Sequence, residues 1–151
     1  MEEQMARRLV AAEGKKLQQA GLARTWGNIS CRIDENHFVI TPSGLDYETM
    51  TAVDLVLMDI RNGVCCGAHK PSSEKGVHLA AYQTFPEVGY VIHTHQTYAT
   101  AIGLCGFEQL AMTEEEAEKL GGIARAAYGL SSTEKLAGAV YDAMQSGAKV
   151  V

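Results

Sequence analysis

The sequence predicts a single-domain α/β fold. Along its 151 residues, stretches with the apolar period of an amphipathic helix are interspersed with short stretches in which apolar and polar residues alternate, as in strands. A chain of this length can bury a substantial core without disulfides, and it shows no internal repeat or linker. We therefore expect residues 1–151 to form one domain of mixed helices and strands.

The first half is predicted to hold one helix and several strands. A helix is expected over residues 3–20, ended by Gly21, because glycine favours the backbone conformation that follows a helix. After a loop that begins at residue 22, residues 29–33 and 37–41 form a predicted hairpin, and residues 54–60 a third strand. The apolar face predicted for the helix comprises Met5, Leu9, Ala12, Leu17 and Ala20.

The second half alternates predicted helices and strands. A helix should start near Ser72 or Ser73, which are good N-caps, and should stop before Phe85. A buried strand is expected over residues 89–95 and a helix over residues 97–104. Residues 107–112 are ambiguous. The remaining predicted elements are a solvated acidic helical turn at residues 114–119, a short strand at 123–128, a helix at 133–145 and a buried strand beginning at 148–151.

Composition and charge exclude several classes of protein. The net charge of −5 lacks the basic surplus of a nucleic-acid binder, so no nucleic-acid partner is expected. No apolar run approaches the roughly 20 residues that cross a bilayer, and the N-terminus has no signal-peptide pattern, so no membrane partner is expected. The four cysteines form no C-x-x-C pair. We predict reduced thiols in a cytoplasmic protein.

Two histidines at the end of a predicted strand are candidate metal ligands. His93 and His95 are two residues apart, so on a strand both side chains point to the same side. Two imidazole nitrogens can then reach one divalent ion. The alternative is a half-exposed histidine pair at a strand end, and two ligands are fewer than the three that catalytic zinc sites usually have.

The predicted start of the second helix is a candidate anion site beside a carboxylate. Ser72 and Ser73 offer hydroxyl groups and N–H groups at a helix start, which suits an anion, although an ordinary N-cap has the same pattern. Glu74 is interpreted as a general base, a further metal ligand or a surface carboxylate. His78, four residues later, is predicted to be a packed or hydrogen-bonded core residue.

Two glycine-containing corners beside strands are further anion-binding candidates. Gly27 and Asn28 precede the first predicted strand, and Ser43 and Gly44 follow the second. Backbone N–H groups at such corners can form an anion-binding nest. Simple turns have the same composition.

Several segments together resemble the class II aldolase/adducin family. The resemblance runs from the first helix to the last residue. It rests on segments in the same order along the chain: Gly27 to Ser30, Ile40 to Gly44, Lys70 to Glu74, His78, His93 to His95 with Ala99 to Ala101, and Tyr128-Gly129 followed by Thr133 to Ala137.

The resemblance implies a fold, an assembly and an enzymatic site. The fold is a three-layer α/β/α sandwich with a mostly antiparallel central sheet, and the assembly is a homotetramer with active sites between subunits. A divalent metal ion, expected to be Zn²⁺, is held by the matching His93, His95 and a third histidine, while Glu74 is the catalytic acid/base or an additional ligand. The substrate phosphate is expected to contact Gly27, Asn28, Ser43, Gly44, Ser72 and Ser73.

The sequence departs from the family pattern in two places. The third histidine of the family follows the strand that begins at residues 148–151, and family members continue with further helices there, so the domain is expected to lack that C-terminal part. The fuculose-phosphate enzymes also have a tyrosine in the segment that matches residues 112–116, and this chain has none. That difference argues against fuculose phosphate as the substrate.

These observations predict a metal-dependent aldolase-type lyase. It would cleave a C–C bond of a small sugar phosphate, or of a related hydroxy-carbonyl compound, through an enediolate. Three alternatives stay open: a sugar-phosphate epimerase or dehydratase of the same fold, a non-catalytic adducin-like interaction domain, and an inactive fragment.

Overall fold

The computed structural model describes residues 1–23, 26–106 and 111–151. Residues 24–25 of the predicted loop and 107–110 of the ambiguous segment lie outside this description. The helices are α1 (Glu3–Gln19), α2 (Lys75–Thr84), α3 (Thr97–Leu104), α4 (Glu114–Leu120) and α5 (Glu134–Met144), with a 3₁₀ turn at Ala52–Asp54. The strands are β1 (Asn28–Arg32), β2 (His37–Ile40), β3 (Val56–Asp59), β4 (Cys65–Cys66) and β5 (Tyr90–His93). Within the described ranges, no helix is long and apolar enough to cross a membrane.

The strands form one antiparallel sheet in the order β4-β3-β2-β1-β5. The predicted hairpin is the β1–β2 pair, in which Ser30 lies opposite Ile40. On its other side β1 pairs with β5, and Asn28 lies opposite His93. This pairing brings the corner before β1 next to the end of the strand that carries the histidines.

The helices cover the sheet in layers, which confirms the α/β/α architecture. On one face α1 packs Val10 against Ile29 and Val39. On the other face Tyr82 of α2 packs with Phe38, and their ring centroids are 4.8 Å apart. Helix α5 packs outside α2, where the buried side chains are Val77, Ala81, Val140 and Met144.

The apolar face predicted for α1 is rotated in the structure. Met5 is 47% exposed, whereas Ala6, Val10 and Gly14 are buried. A Cβ atom at Gly14 would lie 3.0 Å from the Tyr47 ring. The glycine, which costs about 1 kcal/mol of helix propensity, therefore allows this ring to approach the helix.

Four predicted elements differ in the structure. Helix α2 begins after Glu74 rather than at Ser72 or Ser73. Strand β5 lies at the sheet edge, so Tyr90 and Ile92 are 48% and 55% exposed instead of buried. The strands predicted at residues 123–128 and 148–151 form a single parallel bridge between residues 123 and 150.

Candidate active site

A cavity of about 300 Å³ lies where five connections between elements meet. All but one of the predicted site residues line it: Gly27, Asn28, Ser43, Gly44, Ser72, Ser73, Glu74 and His95. His93 does not reach the lining but lies in β5, two residues before His95. Ser131 and Ser132 also line the cavity, and the sequence analysis did not single them out.

Backbone pairing joins two walls of the cavity. The N–H of Ser43 donates to the Lys70 carbonyl, and the N–H of Ser72 donates to the Thr41 carbonyl, both at 3.0 Å. The Ser72 Oγ accepts from the Glu74 N–H at 3.2 Å, and α2 begins after Glu74. Among the described residues, the N–H groups of Gly44 and Ser73 have no protein acceptor. These two N–H groups and the nearby serine hydroxyls are therefore the donors available to a ligand.

The Gly27 corner requires a residue without a side chain. A Cβ atom there would lie 2.6 Å from the Ala23 Cβ and 3.1 Å from the His93 carbonyl oxygen. The Tyr47 hydroxyl donates to the Gly27 carbonyl at 2.6 Å. Gly27 thus lets the corner close against the end of β5, and Tyr47 holds it there.

Glu74 is a buried carboxylate held from across the fold. It is 5% exposed and occupies the N-cap position of α2, but its side chain does not cap the helix. Its Oε1 atom accepts hydrogen bonds from the Ser131 hydroxyl and from the Ser132 N–H, the latter at 3.0 Å. Ser132 has φ 66°, a left-handed conformation that non-glycine residues seldom adopt. The loop before α5 therefore directs two donors at one oxygen of Glu74.

The two histidines converge at their Nε2 atoms. These atoms are 3.2 Å apart, and the rings meet edge to face with centroids 5.0 Å apart. Burial lowers the pKa of His93, and the neighbouring His95 lowers it further, while the Glu74 carboxylate acts in the opposite direction. His93 therefore favours the neutral imidazole, which is the form that binds a metal ion.

The geometry of this pair fits two ligands of one metal ion. Two nitrogens each about 2.0–2.1 Å from a tetrahedral ion lie about 3.3–3.4 Å apart, close to the observed separation. A direct hydrogen bond between the rings has a similar length. In the part of the chain that the structure describes, no group of three or more His, Cys, Asp or Glu side chains is placed to hold a metal ion. Glu74, predicted as a possible ligand, does not complete such a group here.

His78 is a core residue, as predicted. It is fully buried, its Nδ1 atom lies 2.6 Å from the Ser30 Oγ, and its Nε2 atom lies 2.5 Å from the Asn28 Oδ1. Burial lowers the pKa of His78 to about 3, and the nearby His93 contributes to this shift. The imidazole is thus neutral near pH 7, and it contacts Asn28, which lines the cavity, from the side that faces the core.

Comparison with known proteins places these features in a family. The sequence model described as the Class II Aldolase and Adducin N-terminal domain matches residues 8–151 of this chain. The chain belongs to this family. The resemblance noted in the sequence is therefore confirmed, together with the fold class that it implies.

Individual relatives include both aldolases and an epimerase. An L-fuculose 1-phosphate aldolase superposes with a TM-score of 0.81 at 32% identity, covering 93% of this chain and 67% of that protein. The L-fuculose-1-phosphate aldolase from Thermus thermophilus gives a TM-score of 0.73 at 27% identity, covering 95% and 70%. The L-ribulose-5-phosphate 4-epimerase UlaF from Salmonella paratyphi C is 48% identical over 84 residues. That match spans 54% of this chain but only 36% of the epimerase.

Proposed function

We propose that this chain carries the catalytic site of a metal-dependent aldolase-type lyase acting on a small sugar phosphate. One observation carries the proposal: the buried carboxylate of Glu74 shares a cavity with His95 and with a wall of neutral hydrogen-bond donors. A carboxylate that moves protons, a metal-ligating imidazole and an anion-binding wall are the parts that this reaction needs.

Glu74 is proposed to move the proton. Ser131 and Ser132 both donate to its Oε1 atom, so the carboxylate is held in one orientation and its other oxygen is left to exchange a proton with the substrate. Cleavage of the bond between the α and β carbons of a hydroxyketone turns the β-carbon hydroxyl into an aldehyde and releases its proton, and it leaves an enediolate that must be protonated on carbon. The proton lost by the hydroxyl group therefore balances the one that the enediolate takes up. Glu74, once protonated, is placed to deliver a proton to that carbon.

The donor wall is proposed to hold the phosphate. Its candidate residues are Gly27, Asn28, Ser43, Gly44, Ser72 and Ser73. Among the described residues that line the cavity there is no Lys or Arg. Binding there would depend on N–H, hydroxyl and amide donors at the start of α2, where the helix dipole favours an anion. A phosphate held at this wall would fix the distance between the reacting carbon and Glu74.

His93 and His95 are proposed to hold a divalent ion, with Zn²⁺ as the expected metal. Their convergent Nε2 atoms support this assignment. When bound, such an ion supplies a Lewis acid that stabilises the negative charge developing on the carbonyl and hydroxyl oxygens. Because catalytic zinc sites generally have three protein ligands, we expect the third from another segment of the protein or from a neighbouring subunit.

The test is product analysis with phosphorylated ketoses and added Zn²⁺. A lyase releases two shorter fragments, and Glu74→Gln should abolish their release while Glu118→Gln, a change at an exposed carboxylate, leaves it intact. The 48% identity to the epimerase over 84 residues supports a second candidate, sugar-phosphate epimerisation. An epimer of unchanged carbon number, formed without fragments, would replace the lyase assignment. Fragment release by Glu74→Gln at the wild-type rate would remove Glu74 from the mechanism.

A cytoplasmic homotetramer is the assembly that we propose. Large apolar side chains on β5 and α3 support association, since Ile92 is 55%, Tyr98 79% and Leu104 84% exposed. Exposed apolar patches commonly mark protein interfaces. Sedimentation or light scattering should show a species of four chains, and a clean monomer would contradict the proposal.

A further inference from the structure

A line of buried polar side chains runs from α2 to the back of the cavity. The Tyr82 hydroxyl lies 2.8 Å from the Ser30 Oγ, which lies 2.6 Å from His78 Nδ1. On the far side of the imidazole, Nε2 lies 2.5 Å from the Asn28 Oδ1. We call Tyr82, Ser30 and His78 the polar chain. All three are at most 2% exposed, and Asn28 is 4% exposed.

The hydrogens of the polar chain can be arranged in two directions. In the forward direction, Tyr82 donates to Ser30, Ser30 donates to His78 Nδ1, and His78 Nε2–H donates to the Asn28 carbonyl oxygen. In the reversed direction, His78 Nδ1–H donates to Ser30 and Ser30 donates to Tyr82. The Asn28 amide is then turned over, so that its NH₂ group donates to His78 Nε2. A neutral imidazole has one donor and one acceptor nitrogen, so both directions satisfy His78. The low pKa of His78 is consistent with this neutral form.

Tyr82 decides between the two directions. In the reversed direction its hydroxyl accepts from Ser30, and its own hydrogen has no acceptor among the described residues. A buried donor left without a partner costs about 1–3 kcal/mol. In the forward direction the phenol hydrogen is used, and each acceptor receives one hydrogen.

We propose that the polar chain fixes the orientation of the Asn28 amide, with its oxygen toward His78 and its NH₂ group toward the cavity. Asn28 then donates to the anionic end of the substrate, and His78 acts as a positioning residue that never touches the ligand. The inference rests on the proposed phosphate site. It specifies how that site favours an anion: the described residues of the lining include no Lys or Arg, so neutral donors such as the Asn28 NH₂ group must supply the hydrogen bonds.

The first arm of the test reads the His78 tautomer directly. Nitrogen-15 NMR distinguishes a protonated Nε2 from a protonated Nδ1 in each of the five histidines, and the signal lost in His78→Gln identifies the residue. The forward direction requires the Nε2–H tautomer at pH 7. The Nδ1–H tautomer would mean that the Asn28 oxygen faces the cavity, and it would overturn the inference even if the protein is a lyase.

The second arm measures inorganic phosphate binding by calorimetry. His78→Leu removes the imidazole that orients the Asn28 amide, so we expect the Kd for phosphate to rise about three- to tenfold, the value of one hydrogen bond. Val140→Ala is the control for lost packing, because Val140 packs behind the same helix without touching the polar chain. It should lower Tm and leave Kd unchanged. An unchanged Kd in His78→Leu would overturn the positioning role, and a wild-type protein that binds no phosphate would overturn the phosphate site itself.

Discussion

Protonation of His78 should destabilise the fold as the pH falls. In the folded protein the pKa of His78 is lowered from its ordinary value of 6.5 to about 3, because the imidazole is fully buried. Between these two values the unfolded chain binds a proton that the folded chain does not. Stability from this residue is therefore complete above pH 6.5 and is lost progressively as the pH falls toward 3.

The size of the effect follows from the pKa difference. A pH of 5 lies about 1.5 units below the pKa of the imidazole in the unfolded chain. Each unit corresponds to about 1.4 kcal/mol of free energy. His78 should therefore lower the free energy of unfolding by about 2 kcal/mol between pH 7.5 and pH 5. That loss is a substantial part of the roughly 5–15 kcal/mol that stabilises a typical domain.

Urea unfolding at the two pH values measures this loss. Other titrating groups contribute as well, so the comparison is made with His78→Gln, which retains a polar side chain but cannot be protonated in this range. The wild type should lose about 2 kcal/mol more than the variant between pH 7.5 and pH 5. Equal losses in both proteins would refute the assignment of a buried, neutral His78.

Three further predictions concern the cavity and the residues around it. Ser131→Ala removes one of the two donors to Glu74. Because a hydrogen bond to a charged group contributes about 1.5–3 kcal/mol, kcat should fall at least about tenfold while KM stays nearly unchanged. An unchanged kcat would contradict the positioning of Glu74 by Ser131. Gly129→Ala should destabilise the loop before α5, because the added Cβ would lie 2.4 Å from the Leu136 Cα. Gly138→Ala is the control, since nothing lies within 4 Å of a Cβ there. Equal Tm values in the two variants would contradict the predicted destabilisation. His93→Asn should weaken Zn²⁺ binding in calorimetry by at least about tenfold, whereas His37→Asn should not; equal affinities in the two variants would argue against the histidine pair as ligands.

The sequence was most informative where local chemistry determines structure. Gly21 adopts a positive φ of 70° just after α1, as its position at the end of the apolar period predicts. Thr133 accepts from the Leu136 N–H and so begins α5 within one residue of the predicted start. Short motifs also predicted the residues from Gly27 to His95 that line the cavity, because each motif combines polar groups with a turn or a helix start.

The differences arise mainly from contacts between distant residues. The N-cap of α2 is Glu74, one residue after the predicted Ser73, and local propensity does not determine a helix end to that precision. The exposure of β5 follows from its place at the sheet edge, which depends on strand order. Ser131 was missed because it contacts Glu74 across 57 residues of sequence, and a Ser-Ser-Thr run before a helix has the composition of an ordinary cap. The positive φ of Ser132 also has no sequence signal, since glycine is the residue expected there.

The central claim is that Glu74 moves a proton at the carbon next to a substrate carbonyl. Its most direct test is exchange of that carbon-bound hydrogen in D₂O, measured by NMR with a phosphorylated hydroxyketone and Zn²⁺. The wild type should incorporate deuterium, and Glu74→Gln, which keeps the acceptor for Ser131 and Ser132, should lose at least about a hundredfold in rate. Exchange at the wild-type rate in Glu74→Gln would contradict the account.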